Sequence, residues 1–215
     1  MPLTRRRDIR VIAVILGDLL TPADPAAEGP DVAAVRPVLD RLNRLFEPAL
    51  AEPFSIAPEG RIDGVLDDPA QSPLLVSVLR EAVAPSVVRV GIGVGLAATM
   101  RDGDDAYTNA GEALGLAARD RGLTRYVGAG DAGDVLLSAV CRLVDPLLRA
   151  RTPKQWEAIA AYREPGHQRP VAARLGVTRQ SVGDRLAAGH RRAVEDADAA
   201  VAAFLSYQQR QRVAP

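Results

Sequence analysis

The sequence predicts an α+β protein: a ferredoxin-like N-terminal domain with an antiparallel sheet and covering helices, then an all-α domain. Three observations predict it. Over the first 150 residues, short β-branched runs alternate with amphipathic helices in the order β-α-β-β-α-β, followed by α and β. Beyond residue 150 every apolar stripe has helical spacing. Within that part, Arg169 to Arg192, RPVAARLGVTRQSVGDRLAAGHRR, reads as helix, tight turn, helix. The spacing therefore divides the chain into residues 1–150 and 151–215.

The elements follow in order. Arg10 to Leu16, RVIAVIL, is a β-branched apolar run that predicts a buried strand. Thr21 to Pro30 is rich in proline, alanine, glycine and acid, and predicts a loop. Asp31 to Leu50 carries Val35, Val38, Leu39, Leu42, Leu45 and Phe46 at helical spacing. Phe54 to Ala57 and Arg61 to Leu66 flank Pro58-Glu59-Gly60, a hairpin signal that leaves the register of Ile62 and Val65 open. Ser72 to Ala84 is a second helix, Val87 to Leu96 a strand, Asp104 to Arg119 a third helix and Leu123 to Val127 a further strand. Asp134 to Arg149 is a helix with Val135, Leu136, Val140, Leu143, Val144 and Leu147 on one broad apolar face. Thr152 caps the next helix, with Pro153 at its first position. The last helix, about Arg191 to Tyr207, buries Val194, Ala197, Val201, Phe204 and Leu205.

The strongest signal is the helix-turn-helix. Val171, Ala172 and Leu175 share one face, and Ala172 is small where two helices must cross. Gly176 sits at the turn, where a positive φ suits only glycine well. Val177 anchors the turn, Thr178 caps the second helix, and Val182 and Leu186 point inward. This is the pattern of a motif that lays its second helix in the major groove. The outer residues Thr178, Arg179, Gln180, Ser181 and Arg185 suit base edges and nearby phosphates; arginine can grip guanine and glutamine can pair with adenine. Lys154, Arg169, Arg174 and Arg191 are expected on the phosphate backbone. Between Arg151 and Arg192 there are nine basic residues and three acidic ones, a local excess of six in a chain with 27 of each. The bland alternative is a helical hairpin with a solvated basic face. The agreement of turn, spacing and charge favours double-stranded DNA.

Composition bounds the rest. Apolar residues make up 47% and aromatics 4%, so the core is built mainly of alanine, valine and leucine. Zero net charge excludes a wholly basic nucleic-acid coat protein. Cys141, the only cysteine, sits among Val140, Leu143 and Val144 and reads as a small core residue. No run approaches the ~20 apolar residues of a membrane span. The basic start MPLTRRR before an apolar run imitates a signal peptide, but Gly17-Asp18 interrupts it without a cleavage site. These features predict a cytoplasmic protein without a membrane anchor.

Candidate chemistry in the first 150 residues is sparse. Asp18 ends the first strand, and Glu59 with the less well placed Asp63 lies in the hairpin, an arrangement of acids that can hold Mg²⁺. Turn capping and solvation are the plainer readings. Gly91-x-Gly93-x-Gly95 lies within a strand pattern, so it is not a dinucleotide fingerprint. It suits close approach of a helix, a bulge, or a pocket wall at Gly93. Asp102, Asp104 and Asp105 suit helix capping, and His167 and His190 are too far apart to argue for zinc. No catalytic residue, metal site or cofactor is expected.

The series VIAVILGDLL, PEGRIDGVL, VRVGIGVG and DAYTNAGEAL resembles the SatD family of bacterial proteins, over most of the chain. Actinobacterial relatives resemble proteins labelled as MarR-type transcriptional regulators. TPKQWEAIAAY with VAARLGVTRQSVGDRL is similar to the DNA-binding end of sigma factors. More distantly, the N-terminal part resembles the palm-like fold of nucleotide cyclases and diguanylate-type synthases. Asp18 matches the acid that ends the first strand there. SatD-type sequences commonly carry Gly-Asp-Glu-Phe in the hairpin; this chain has Pro58-Glu59-Gly60-Arg61, with Arg61 where a cation would sit. The resemblance implies a degenerate palm-like module that senses a nucleotide-like ligand through Asp18, Glu59, Arg61 and Gly93, or that mediates dimerisation. The expectation is a homodimeric DNA-binding transcriptional regulator, not an enzyme. The alternative is a cyclase-like synthase using Asp18 and Glu59 with Mg²⁺.

Overall fold

The computed structural model describes residues 10–20, 32–58, 60–97 and 105–213. Five strands form one sheet: β1 (Arg10–Leu20), β2 (Leu50–Ile56), β3 (Arg61–Leu66), β4 (Val87–Ala97) and β5 (Thr124–Val127). Eight α-helices accompany them: α1 (Val32–Phe46), α2 (Ser72–Val83), α3 (Asp105–Arg119), α4 (Asp131–Arg149), α5 (Pro153–Arg163), α6 (Gln168–Leu175), α7 (Arg179–Ala188) and α8 (Arg191–Val213). The fold class is α+β, as the periodicities predict.

The strand order is β2-β3-β1-β4-β5. The first four strands pair antiparallel in the ferredoxin-like arrangement, and β5 adds to β4 in parallel. The sheet is therefore mixed, which corrects the expectation of a purely antiparallel one. The helices cover both faces of the sheet. Odd residues of β1 and even residues of β4 meet α1 and α2: Val11, Ala13 and Ile15 join Val90, Ile92, Leu39, Leu42, Leu75 and Leu79 in the main core. Ile12, Val14 and Val65 on the other face pack against Ala106 and Ala110 of α3. Ile62 and Val65 are both buried because they serve opposite faces.

Strands β3 and β4 are parallel across β1 and joined through α2, while β4 and β5 are parallel neighbours joined through α3. Both connections step the same way across the sheet, yet their helices lie on opposite faces. The two crossovers thus have opposite hands, and one departs from the usual right-handed preference.

The glycines of β4 make the α3 layer feasible. A Cβ on Gly93 would lie 2.0 Å from the Ala106 carbonyl oxygen and 2.2 Å from the Ala110 nitrogen. One on Gly91 would lie 2.3 Å from the Leu114 nitrogen, and one on Gly95 2.6 Å from the Ala106 nitrogen. Helix backbone occupies the space that side chains would need. Of the readings the sequence allows for this run, close helix approach is the one realised.

The short strand β5 is held by charge. Arg125, 3% exposed, donates to Asp145 of α4 at 2.9 Å and to the Thr124 carbonyl at 2.5 Å, and pairs with Asp120 at 3.3 Å. Asp145 also accepts from the Leu123 backbone at 2.8 Å. From α2, Arg80 donates to the Leu123 carbonyl and the Thr124 hydroxyl, each at 2.8 Å. A buried salt bridge of this kind contributes little net stability, but removing one partner strands the other.

The C-terminal helices pack on the sheet domain. Val201 and Leu205 of α8 belong to the main core beside Leu137 and Cys141 of α4. Ser77 of α2 donates to Asp198 of α8 at 2.5 Å. Burial drives the Asp198 carboxyl up to about 6, although the Ser77 bond and Arg80, Arg163 and Arg151 oppose the rise. Burial likewise pushes the Cys141 thiol up to about 12, so it stays a neutral core group.

Two predictions follow from this packing. Gly93→Ala should cost more than about 3 kcal/mol, because α3 must lift off β4. Gly111→Ala, whose Cβ would meet nothing within 4 Å, should be neutral or stabilise by up to about 1 kcal/mol. Chemical denaturation of both variants checks the contrast. For Asp198 the folded carboxyl holds its proton more tightly than the unfolded one, which titrates near ~3.9. Folding is thus favoured below that value, and the advantage is lost as pH rises through about 6. Asp198→Asn should therefore gain roughly 1–3 kcal/mol at pH 8 and nearly nothing at pH 4, read from thermal melts at both.

Candidate nucleic-acid interface

Helices α5, α6 and α7 form a three-helix unit around their own core. Ala158, Ile159, Ala161, Val171, Ala172, Val182 and Leu186 are buried in it, with Tyr162, Leu175 and Val177 packed against them. Val182 is fully buried, as a plug between crossing helices must be. Gly176 ends α6 at φ 64° and ψ 31°, the left-handed conformation that the turn requires. Thr178 caps α7, accepting from the Ser181 backbone at 3.1 Å. Thr152 and Gln155 form a reciprocal capping box at the start of α5.

Inward placement of Val182 and Leu186 turns Gln180, Asp184 and Ala187 to solvent, with Thr178 and Arg179 exposed at the leading end. Ser181 is half-buried on the flank. Arg179 donates to the Gln168 side chain at 3.3 Å. Arg185, one turn after Ser181 on the same flank, is only 19% exposed and pairs with Glu157 of α5 at 3.4 Å. Its guanidinium is tied to α5, so base contact from it requires that exposed pair to open.

The expected phosphate contacts divide into two groups. Lys154 and Arg169 are exposed on α5 and α6. Arg191 is 17% exposed, ion-paired with Glu195 and stacked 4.6 Å over the Tyr162 ring, which makes it a brace between α8 and α5. Arg174 lines a groove of ≈ 480 Å³ together with Arg41, Leu42, Leu45, Val78 and Arg163, where α1 and α2 meet α5. In that groove Arg163 holds Glu81 of α2 by two bonds, at 2.6 and 2.5 Å.

One positioning residue escaped the sequence. Gln168 opens α6, accepts from Arg179, and lies 3.2 Å from where a Cβ of Gly183 would be. A glycine in the middle of α7 was the available signal for so close a contact.

The N-terminal candidates lie on the α3 face of the sheet. Asp18 and Arg61 are cross-strand partners and pair at 3.4 Å, with Asp18 37% exposed. Asp63 is two residues along β3 and accepts from Ser55 at 2.5 Å. Glu59 lies outside the described residues, as do Asp102 and Asp104. Gly93 does not join them as a pocket wall; the α3 backbone fills the space beside it. Among the described residues no group of three or more His, Cys, Asp or Glu could hold a metal ion. No described helix is long and apolar enough to cross a membrane.

No protein-family model matches the chain, and no curated protein matches it. Among solved structures, the crystal structure of a regulator of polyketide synthase expression from Bifidobacterium adolescentis is similar over 95% of this chain and 82% of its own. The identity is 14% and the TM-score 0.28, a likeness too slight to bear on fold or function.

Proposed function

We propose that the chain is a sequence-specific DNA-binding transcriptional regulator that acts as a homodimer. The observation that carries this reading is the α5–α6–α7 unit. A left-handed glycine turn and a threonine cap present α7 with Thr178, Arg179 and Gln180 outward. The basic excess from Arg151 to Arg192 supports it. Arg179 and Gln180 are the direct readers, Thr178 and Ser181 contact nearby phosphates, and Lys154 and Arg169 hold the backbone. A single small helix-turn-helix reads a short half-site, and two-fold pairing extends it. In this reading residues 1–150 form a sensory or dimerisation module and residues 151–215 the DNA-binding part. The resemblance to the SatD family supports that division, and the protein works in the cytoplasm.

The cyclase-like alternative is disfavoured. Arg61 stands 3.4 Å from Asp18, where it would compete with Mg²⁺ for that carboxylate. In the regulator reading the exposed Asp18–Arg61 pair is the polar contact for a nucleotide-like effector.

The test is binding of the full chain to DNA selected from a random pool, read by fluorescence anisotropy across a salt series. Arg179→Ala should weaken specific binding by ~1–3 kcal/mol and relax preference at one base pair. Lys154→Ala and Arg169→Ala should weaken all sequences alike and reduce the slope of log K against log salt by about 1 each. Binding that ignores salt, or selection that yields no common sequence, would overturn the reading.

A further inference from the structure

Helix α4 is apolar on two faces. Leu137, Cys141 and Leu148 point inward and are buried. The outward stripe is part of the broad apolar face that the sequence predicts: Val135 is 72% exposed, Leu136 48% and Leu143 75%, while Val140 and Val144 of that face pack against the core. Ala132 and Ala139 are exposed between and beside them. A run of large apolar side chains this bare on one helix marks a surface that another molecule covers.

The charges around the stripe say which molecule. Asp131 is exposed at the N-terminal end, and Arg142 and Arg149 are exposed toward the C-terminal end. Both arginines are held in place there, Arg142 by Asp120 at 3.1 Å and Arg149 by the Arg121 carbonyl at 2.6 Å. Ala139 stands midway between Val135 and Leu143. A face with acid at one end, base at the other and a small residue at its centre complements its own image turned through a two-fold axis at Ala139. Under that rotation Val135 meets Leu143, Ala139 meets itself and lets the helices approach, and Asp131, eight residues from the axis, comes within about 3 Å along the helix of Arg149, ten residues from it. An isologous contact demands this self-complementarity. Antiparallel pairing also sets the helix dipoles against each other favourably.

We infer that α4 is a self-association surface on which a second copy of this chain lays its own α4 antiparallel. The inference deepens the dimeric reading above and rests on it for its purpose, since two half-sites need two chains. Its structural grounds are the stripe and its charges.

The test uses the full chain without DNA, in sedimentation equilibrium. The wild type should weigh two chains. Leu143→Glu and Val135→Glu should raise the dimer dissociation constant at least about 100-fold, with an unchanged circular-dichroism spectrum because both positions are exposed in the single chain. Asp131→Arg should weaken the dimer, and adding Arg149→Asp should restore it. Ala139→Cys should form disulfide-linked dimers on mild oxidation, whereas Ala118→Cys, exposed on α3, should not. A monomeric wild type would overturn the inference, and so would a dimer indifferent to Leu143→Glu and uncrosslinked at position 139. A monomer that binds selected DNA through Arg179 defeats the surface and leaves the regulator reading standing; a dimer that binds no DNA does the reverse.

Discussion

The structure depends on a contact with almost no side chain in it, the approach of α3 to the bare backbone of β4. With glycine at 91, 93 and 95, the helix comes so near that a methyl group would overlap its carbonyls and amides. This closes one face of the sheet with a single helix. The other face is left to α1 and α2, and beyond them to α4 and α8, whose Leu137, Val201 and Leu205 reach the same core. It also lets β5 return beside β4, where Arg125 and Asp145 secure its edge. The helical C-terminal part has a rigid floor to stand on because that face is free for it.

The second organising feature is α2. Its residues reach the sheet through Leu75 and Leu79, β5 through Arg80, α5 through Glu81 and α8 through Ser77. One twelve-residue helix thus joins the strands to both ends of the helix-turn-helix unit. The groove beside it, with Arg41, Arg163 and Arg174, sits where the two parts of the chain meet.

What the sequence revealed follows from the range of the forces involved. The turn at Gly176, the caps at Thr152 and Thr178 and the buried Val182 are local, and local chemistry decides them. The ferredoxin-like arrangement of the first four strands was also legible, since βαββαβ permits few arrangements, whereas the place of β5 beside β4 was not. Three other features were hidden wholly or in part. The side of the sheet taken by α3 depends on crossover hand, which no residue encodes by itself. The inward face of α4 was only partly legible because the helix has two apolar stripes and periodicity cannot rank them; Leu137, Cys141 and Leu148 fill the core with Val140 and Val144 beside them, while Val135, Leu136 and Leu143 face out. The inward ties of Arg185 to Glu157 and Arg191 to Tyr162 join residues from separate helices, so charge counting placed both at the surface.

The bidentate bond from Arg163 to Glu81 and the seam from Asp198 to Ser77 have a mechanical consequence. They grip the α5–α6–α7 unit at its first helix and at the helix that follows it, and both grips close on α2. A body pinned at two points on one shaft cannot swivel independently of it. A turn of α2 would therefore strain both contacts, and through α5 and α8 the placement of α7 between them.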